Sequence, residues 1–581
     1  MAIQEKIKKE ISVVLKSELD YSIKAEEIVI ERPQDEEHGD FSANIALTIA
    51  KDIKKSPREI AQTIADKLTK SKIEEIANVE IAGPGFINFK LKESHYFTAL
   101  NNVLEQNDKY GQNDLLKNKR IMVEFAHPNP FKSFHIGHLR NIILGESIVR
   151  MLESQGAEVI RTNYQGDVGM HIAKCIWAFQ KIDPKDYPST ADEKTKLLGK
   201  CYAEGATAFE EDEKAQKEIK DINKKIYTKK DPQISKLWDI GKKWSLEKFH
   251  EIYARVYSTF EREYMESETL STCMKYIQQA KEKGILKQSQ GALIFDGEKY
   301  NLDTRVFLNA QGLPTYEGKE LGLAYMEFTD YGDIDLCIHN VAVEQISFFK
   351  VTFKVEELLD PIKFKGKQYH NAYEFVGLKK GKMSSRKGNV ILGDDILNEA
   401  HAKILKLISD RKEIKDKDMT AEEIGIGAVK WSFLKISPFK YLAFDLEESI
   451  SFEGDSGPYI QYTFARTQSI LNEIKDNKSN TLLDELDTEK LNLSGQETAL
   501  LHWIERFPEI VAKAASIYSP NLICDYLFEL AQRFNSFYKN HPVLKADKKE
   551  EKAIRLALTK ATAIVVKNGL NLLGIKTVSR M

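Results

Sequence analysis

Residues 120–161, RIMVEFAHPNPFKSFHIGHLRNIILGESIVRMLESQGAEVIR, constrain this chain more than any other stretch. Ile121, Met122 and Val123, continued past Glu124 by Phe125 and Ala126, have the composition of a buried strand. A loop holding Pro128 and Pro130 follows. Beyond it, Leu139, Ile142, Val149 and Leu152 recur with helical spacing on one face. Gly156 stands where a helix C-cap belongs, and Val159 and Ile160 open a second strand. Strand, helix and strand in this order predict a βαβ unit. The fold class is therefore α/β, with a Rossmann-like parallel sheet that binds ligands beyond the carboxyl ends of its strands.

The loop concentrates chemistry. His135 and His138 lie three residues apart at the helix start, so both side chains project to one side, and Gly137 between them leaves the backbone approachable. A helix N-terminus attracts phosphate through its free amides and its dipole, and two imidazoles add directional donors. As an isolated four-residue pattern this competes at about even odds with two surface histidines on a helix cap. The preceding strand and Pro-Asn-Pro loop favour the phosphate site. A second stretch, GLKKGKMSSRKGNVILGDD, is punctuated by Gly377, Gly381 and Gly388 and gathers Lys382, Arg386 and Lys387 beside Ser384 and Ser385. Such a loop suits a triphosphate, closing over it and neutralising charge on a departing pyrophosphate. No Walker-type loop is present, which excludes P-loop chemistry.

A chain of 581 residues predicts about four domains, and a 42% hydrophobic content supplies their cores. A formal net charge of -3 excludes a uniformly basic nucleic-acid coat, so any such surface is a local patch. Cys175, Cys201, Cys273, Cys337 and Cys524 are scattered and odd in number, without the spacing of a zinc site or a disulfide framework. A reducing cytoplasm is the expected location. The amphipathic start MAIQEKIKKEISVVLKSELD does not read as a signal peptide, and no apolar run approaches a membrane span.

Along the chain, residues 1–112 read as an α+β module. Ile3, Ile7, Ile11 and Val14 mark a first helix, a second begins near Phe41, and two strands turn at Gly83-Pro84-Gly85. Residues 113–395 alternate strands and helices around a charged helical insertion at about 183–290, expected to be a solvated face. Residues 396–455 connect to a helical domain, 456–581. Across these two regions, Lys430, Lys435, Lys440, Arg466, Lys513, Arg533 and Lys539 interleave with Tyr462, Phe464, Phe534, Phe537 and Tyr538. The pattern fits an RNA-contacting face or a bundle core, and helical spacing favours core for most of the aromatics.

His135-Ile136-Gly137-His138 followed far downstream by Lys382-Met383-Ser384-Ser385-Arg386 resembles the paired HIGH and KMSKS signatures of class I aminoacyl-tRNA synthetases. VEFAHPNPFKSFHIGHLRN, TNYQGDVG, GDFSANIAL, FINFKL, SGPYIQYTFARTQSIL and LGIKTVSRM narrow the resemblance to arginyl-tRNA synthetases over nearly the whole chain. The resemblance implies that arginine is activated with ATP and passed to the 3′ end of tRNA(Arg). It implies ATP contacts from Pro130, His135, Gly137, His138, Lys382, Met383, Ser384 and Ser385, with His135, His138, Lys382 and Lys387 catalytic. It implies an arginine pocket of Glu124, Asn129, Glu266, Tyr316, Glu320 and Gln345, and tRNA contacts at Tyr462, Arg466, Arg533 and Met581. Residues 1–112 would touch tRNA and 456–581 would read the anticodon. Mg2+ is expected on ATP, zinc is not expected, and the chain is expected to act as a cytoplasmic monomer.

Two departures stand out. Glu320 occupies a place where the family commonly has aspartate, and MSSRK is better preserved than in many arginyl enzymes. A cysteinyl enzyme would need a zinc cluster, the valine, isoleucine and leucine enzymes a larger editing insertion, and a glutamyl enzyme a cationic pocket. A non-catalytic RNA-binding paralogue would be expected to lose a signature histidine or lysine, and both signatures are intact.

Overall fold

The structure, a computed structural model, describes residues 3–33, 38–70, 73–379, 391–473, 493–546 and 548–581. It divides into two compact units.

The larger unit holds residues 107–475, 506–544 and 559–581 and is built on five parallel strands. These are β1 (Arg120–Glu124), β2 (Glu158–Gln165), β3 (Arg262–Met265), β4 (Leu336–Ala342) and β5 (Gln368–Tyr373), in the order β5-β4-β1-β2-β3. Chain order reverses between β1 and β4, the place where an open parallel sheet leaves a crevice at its carboxyl edge. Both strands flanking that place are buried on two faces, so they read as near-continuous apolar runs rather than as an alternation.

Helix α1 (Ile136–Ser154) follows β1, and Gly156 takes the positive φ of its C-terminal turn. Leu139, Ile142, Val149 and Leu152 are buried as the spacing predicts, but so are Arg140, Asn141, Glu146 and Ser147. The reason is that α1 packs against helices Gly393–Leu407, Lys417–Leu434 and Phe507–Ser516 as well as the sheet. Its polar side chains therefore need internal partners. Arg140 donates to the carbonyls of Phe375 at 2.9 Å and Lys440 at 3.1 Å.

The 183–290 span is more than a solvated insertion. Helices Ala191–Glu211, Glu213–Thr228 and Pro232–Arg255 pack with α2 (Met170–Phe179) around a core that includes Leu198, Ile219, Ile226, Trp238 and Trp244. In the charged run, Ala215, Ile219, Ile222 and Ile226 form a buried stripe at helical spacing, and the charges are its exposed side. The span then returns to the sheet as β3 and α3 (Glu266–Glu282). Helix α4 (Tyr316–Asp330) packs on α3, and α5 (Ile346–Leu359) packs on α4.

The smaller unit holds residues 1–106, 476–505 and 545–558. Its four-stranded antiparallel sheet includes Phe41–Ala43 and the hairpin strands Ile76–Ala82 and Phe86–Leu91. Phe41 is thus in a strand rather than at a helix start. The second helix begins at Ile45, and a third, Pro57–Leu68, opens with a Ser56/Glu59 capping box. No helix among the described residues is long and apolar enough to cross a membrane.

Candidate active site

The loop joining β1 to α1 is held in an unusual shape. Ala126, His127 and Phe131 all take positive φ, at 78°, 49° and 66°. Three non-glycine residues in this region store strain that the surroundings must offset. Asn141 does much of this: its Oδ1 accepts from the Ala126 amide at 2.7 Å, and its Nδ2 donates to the Asn340 carbonyl and the Tyr373 hydroxyl, both at 3.0 Å.

At the end of the loop His135 caps α1. Its Nδ1 accepts from the Gly137 amide at 3.1 Å, and His138 Nδ1 accepts from the His135 amide at 3.2 Å. Each acceptor role leaves the proton on Nε2, so both rings present an N–H donor away from the helix. The rings stack with centroids 3.8 Å apart. Burial, followed by the Lys132 charge, lowers the His135 pKa to about 4. Burial and then His135 itself push His138 well below the usual imidazole value. Both are therefore neutral donors at pH 7. Gly137 has a local reason to be glycine, since a Cβ there would stand 2.9 Å from the His135 ring.

The downstream signature residues Lys382, Met383, Ser384, Ser385 and Lys387 lie outside the described residues. The chain just beyond them is stitched to the histidine motif. Ile136 donates to the Ile391 carbonyl at 3.0 Å and Gly393 to the Phe134 carbonyl at 2.9 Å.

Glu124, Asn129, Glu266, Tyr316, Glu320 and Gln345 all line one cavity of about 480 Å³ at the sheet's reversal point. Asn129 Oδ1 accepts from the Gly166 amide at 2.9 Å, which leaves its Nδ2 as a donor. A Cβ on Gly166 would come within 2.6 Å of Asn129 Oδ1 and 2.9 Å of Glu266 Oε2, so a larger residue there would displace both pocket side chains. Four acids reach the cavity. Glu266 pairs with buried Lys319, and Glu317 with Arg305 at 3.1 Å. Glu124 Oε2 and Glu320 Oε1 are buried without a hydrogen-bond partner among the described residues. The longer side chain of Glu320 does not swing outward: it is only 5% exposed.

Burial pushes the Glu124 carboxyl up, but the hydrogen bond from His339 and its charge bring it below the ordinary value. Burial and then Glu124 raise Glu320 to about 8. With Tyr164, Phe348 and Phe349 as walls, the cavity suits an apolar stem ending in a planar cation. Sequence reasoning missed Tyr164, Arg305, Phe348 and Phe349. It also missed His339, whose strand context LCIHNVA reads simply as β-structure.

Tyr462, Arg466 and Met581 meet in a second cavity of about 510 Å³. Arg466 donates to Asn535 Oδ1 at 2.6 Å and to the Tyr462 hydroxyl at 3.2 Å. Arg533 is not among the lining residues and pairs with Glu529 at 3.1 Å. Phe464, Phe534 and Phe537 are core, and Tyr538 is exposed.

Comparison with known proteins adds to this geometry. Residues 99–445 match the model of the class I (R) tRNA synthetase catalytic domain, 1–91 that of the arginyl-tRNA synthetase N-terminal domain, and 460–581 that of the DALR anticodon-binding domain. The arginine–tRNA ligase of Treponema denticola is 34% identical, covering 94% of each chain. That of Clostridium perfringens is 33% identical over 99% of this chain and 100% of its own. The arginyl-tRNA synthetase structure from Thermus thermophilus superposes over 100% of both chains with a TM-score of 0.82 at 23% identity, a likeness of fold.

Proposed function

The chain belongs to the arginyl-tRNA synthetase family and is an ATP-dependent arginine–tRNA ligase, and on that premise we propose how its residues divide the work. Arginine's guanidinium enters the 480 Å³ cavity and meets the free carboxyl oxygens of Glu124 and Glu320. Tyr316, Glu266 and Gln345 border it, and the Asn129 amide N–H faces the substrate's carboxylate end.

One carboxylate oxygen of arginine attacks the ATP α-phosphorus, the bond to the bridging oxygen breaks, and pyrophosphate leaves. No covalent enzyme intermediate is needed, so rate comes from positioning and from donors aimed at developing charge. His135 and His138 supply neutral Nε2–H donors at the start of α1, beside Pro130 and Gly137. Lys382 and Lys387, with Met383, Ser384 and Ser385, close on the phosphates. The stitch at Ile136–Ile391 supports this role, because it returns the chain from the lysine segment to the histidines. Mg2+ travels with the triphosphate as part of that substrate; the groups beside His135 are neutral or, like Lys132, cationic and suit phosphate rather than metal.

The 3′-terminal adenosine hydroxyl of tRNA(Arg) then attacks the arginyl carbonyl and AMP departs. Tyr462, Arg466, Arg533 and Met581 contribute to tRNA binding, the first, second and fourth around the 510 Å³ cavity. Residues 1–112 form a tRNA-contacting module, 113–395 the catalytic domain, 396–455 a connection and 456–581 the anticodon-binding domain. The protein works as a monomer in the cytoplasm.

The observation that supports this division is the convergence of six residues from separate parts of the chain on one acid-lined cavity, two of them, Glu124 and Asn129, on the segment that leads into the neutral histidines. Charging a total tRNA pool with each amino acid in turn tests it. Arginine alone should be attached, with dependence on ATP; attachment of another amino acid would refute the assignment.

A further inference from the structure

Behind the arginine cavity lies a side chain that does not line it. His339, on β4, is 0% exposed, as are its neighbours Cys337 on the same strand and Glu327 on α4. Its ring packs against both Phe349 and Phe353 of α5, with centroids 5.0 and 5.2 Å away.

The hydrogen bonds fix its protonation. Gln368 on β5 donates through Nε2 to Glu356 Oε2 at 2.8 Å, so the Gln368 oxygen, 3.0 Å from His339 Nε2, must accept from the imidazole. On the other side, Nδ1 lies 3.4 Å from Glu124 Oε1 on β1 and 3.9 Å from Glu320 Oε1 on α4. Glu124 is held below the ordinary carboxyl value, so a lone pair on Nδ1 would face a carboxylate at hydrogen-bond distance; Nδ1 therefore carries a proton as well. The ring is an imidazolium.

No other cation serves this spot among the described residues. His127 in the loop and His370 on β5 are held below the usual imidazole value mainly by burial. Lys319 and Arg305 are engaged by Glu266 and Glu317. Around the imidazolium stand four buried acids: burial pushes Glu320, Glu327 and Glu356 up, and Glu327 shares a hydrogen bond with Glu124, the one held below the ordinary value. A cluster of buried carboxyls without a cation relieves its repulsion by taking up protons. A protonated Glu124 would offer an O–H where the guanidinium requires an acceptor.

We propose that His339 is a positioning residue for arginine recognition, whose buried imidazolium keeps Glu124 ionised and aimed so that its second oxygen faces the cavity as an acceptor. This rests on the reading of the cavity as the arginine site. Burial works against the charge on the ring, whereas the Glu124 carboxylate and its hydrogen bond favour it, and the His339 pKa lies above the usual value; burial pushes the neighbouring Cys337 thiol up, so it stays neutral.

The test is ATP–pyrophosphate exchange by the full chain in saturating tRNA(Arg), with the KM of arginine and of ATP measured separately. His339→Gln should raise arginine's KM about tenfold or more, the effect of losing one charge-assisted hydrogen bond, and leave ATP's within about twofold. Adding Glu327→Gln, which replaces the carboxyl hydrogen-bonded to Glu124 with an amide donor that cannot compete for the negative charge, should restore part of the arginine affinity; a packing defect would not be rescued this way. If His339→Gln fails to fold by circular dichroism, Gln368→Leu keeps the ring and removes its orienting acceptor, and should raise arginine's KM by a smaller factor.

An unchanged arginine KM in a folded variant, or an equal rise for ATP, would overturn the proposal. Absence of arginine-dependent exchange in the parent protein would instead overturn the reading of the cavity.

Discussion

Arginine binding should be tied to the release of a proton from Glu320. This carboxyl is 5% exposed, burial and Glu124 raise its pKa to about 8, and its Oε1 has no hydrogen-bond partner among the described residues. A guanidinium prefers the ionised form, so the sign is fixed: affinity rises with pH up to the pKa and levels off above it. Apparent KM exceeds its limiting value by 1 + 10^(pKa − pH), which for a pKa of about 8 is about elevenfold at pH 7 and about 1.3-fold at pH 8.5. Arginine's KM in ATP–pyrophosphate exchange with saturating tRNA should therefore fall about eightfold across that interval. ATP's KM serves as the internal control and should stay flat. Glu320→Gln should bind arginine weakly at every pH and lose the slope. A flat profile in the parent protein, or the same slope in Glu320→Gln, would refute the reasoning.

Other consequences are checked separately. His138→Ala removes an Nε2–H donor together with the acceptor for the His135 amide, and should lower the rate of exchange by about 10²-fold or more; near-normal turnover would remove His138 from the phosphate site. Asn141→Ala strands the Ala126 amide and the Asn340 carbonyl in the core, and should cost about 3 kcal/mol, seen as a lower urea midpoint at constant slope. Arg466→Ala should raise the KM for tRNA(Arg) while arginine's KM in saturating tRNA holds, because Arg466 lines the 510 Å³ cavity and not the acidic one. Affinity for tRNA should decline linearly with salt on logarithmic axes despite the net charge of -3; a flat titration would contradict local basic patches.

How far these features were legible depends on the range of the interaction that creates them. The βαβ start was plain because apolar runs, a loop proline and a capping glycine act within a few residues. The buried polar face of α1 was not, since it comes from helices that arrive hundreds of residues later. The charged run 210–230 concealed a core stripe because isoleucines at every third or fourth place are outnumbered by lysines and glutamates. In the site, Glu124 and Asn129 were legible only through the resemblance of VEFAHPNPF to the family, since nothing local marks a strand-end glutamate as a ligand. The ionisation of His339 was not, because it depends on acids from β1, α4 and α5 that meet only in the folded sheet. Arg533 belonged to a basic series in sequence, yet a neighbouring glutamate on its own helix pairs with it.

The pair of backbone hydrogen bonds that ties Phe134 and Ile136 to Ile391 and Gly393 also bears on what the family can vary. Chain inserted into an exposed turn between those anchors leaves and rejoins the fold at fixed points, so it can lengthen without moving them. Loop-closure entropy grows only logarithmically, about 0.6 kcal/mol for each doubling of a flexible segment. The helices spanning 191–255 lie on that segment but share their core with Phe131 of the β1–α1 loop, and the Ser245 hydroxyl accepts from the Phe131 amide at 2.9 Å. The exposed turns near Asp212 and Lys230, between these helices, are where evolution, or an engineer, can add chain while the phosphate end of α1 keeps its lock.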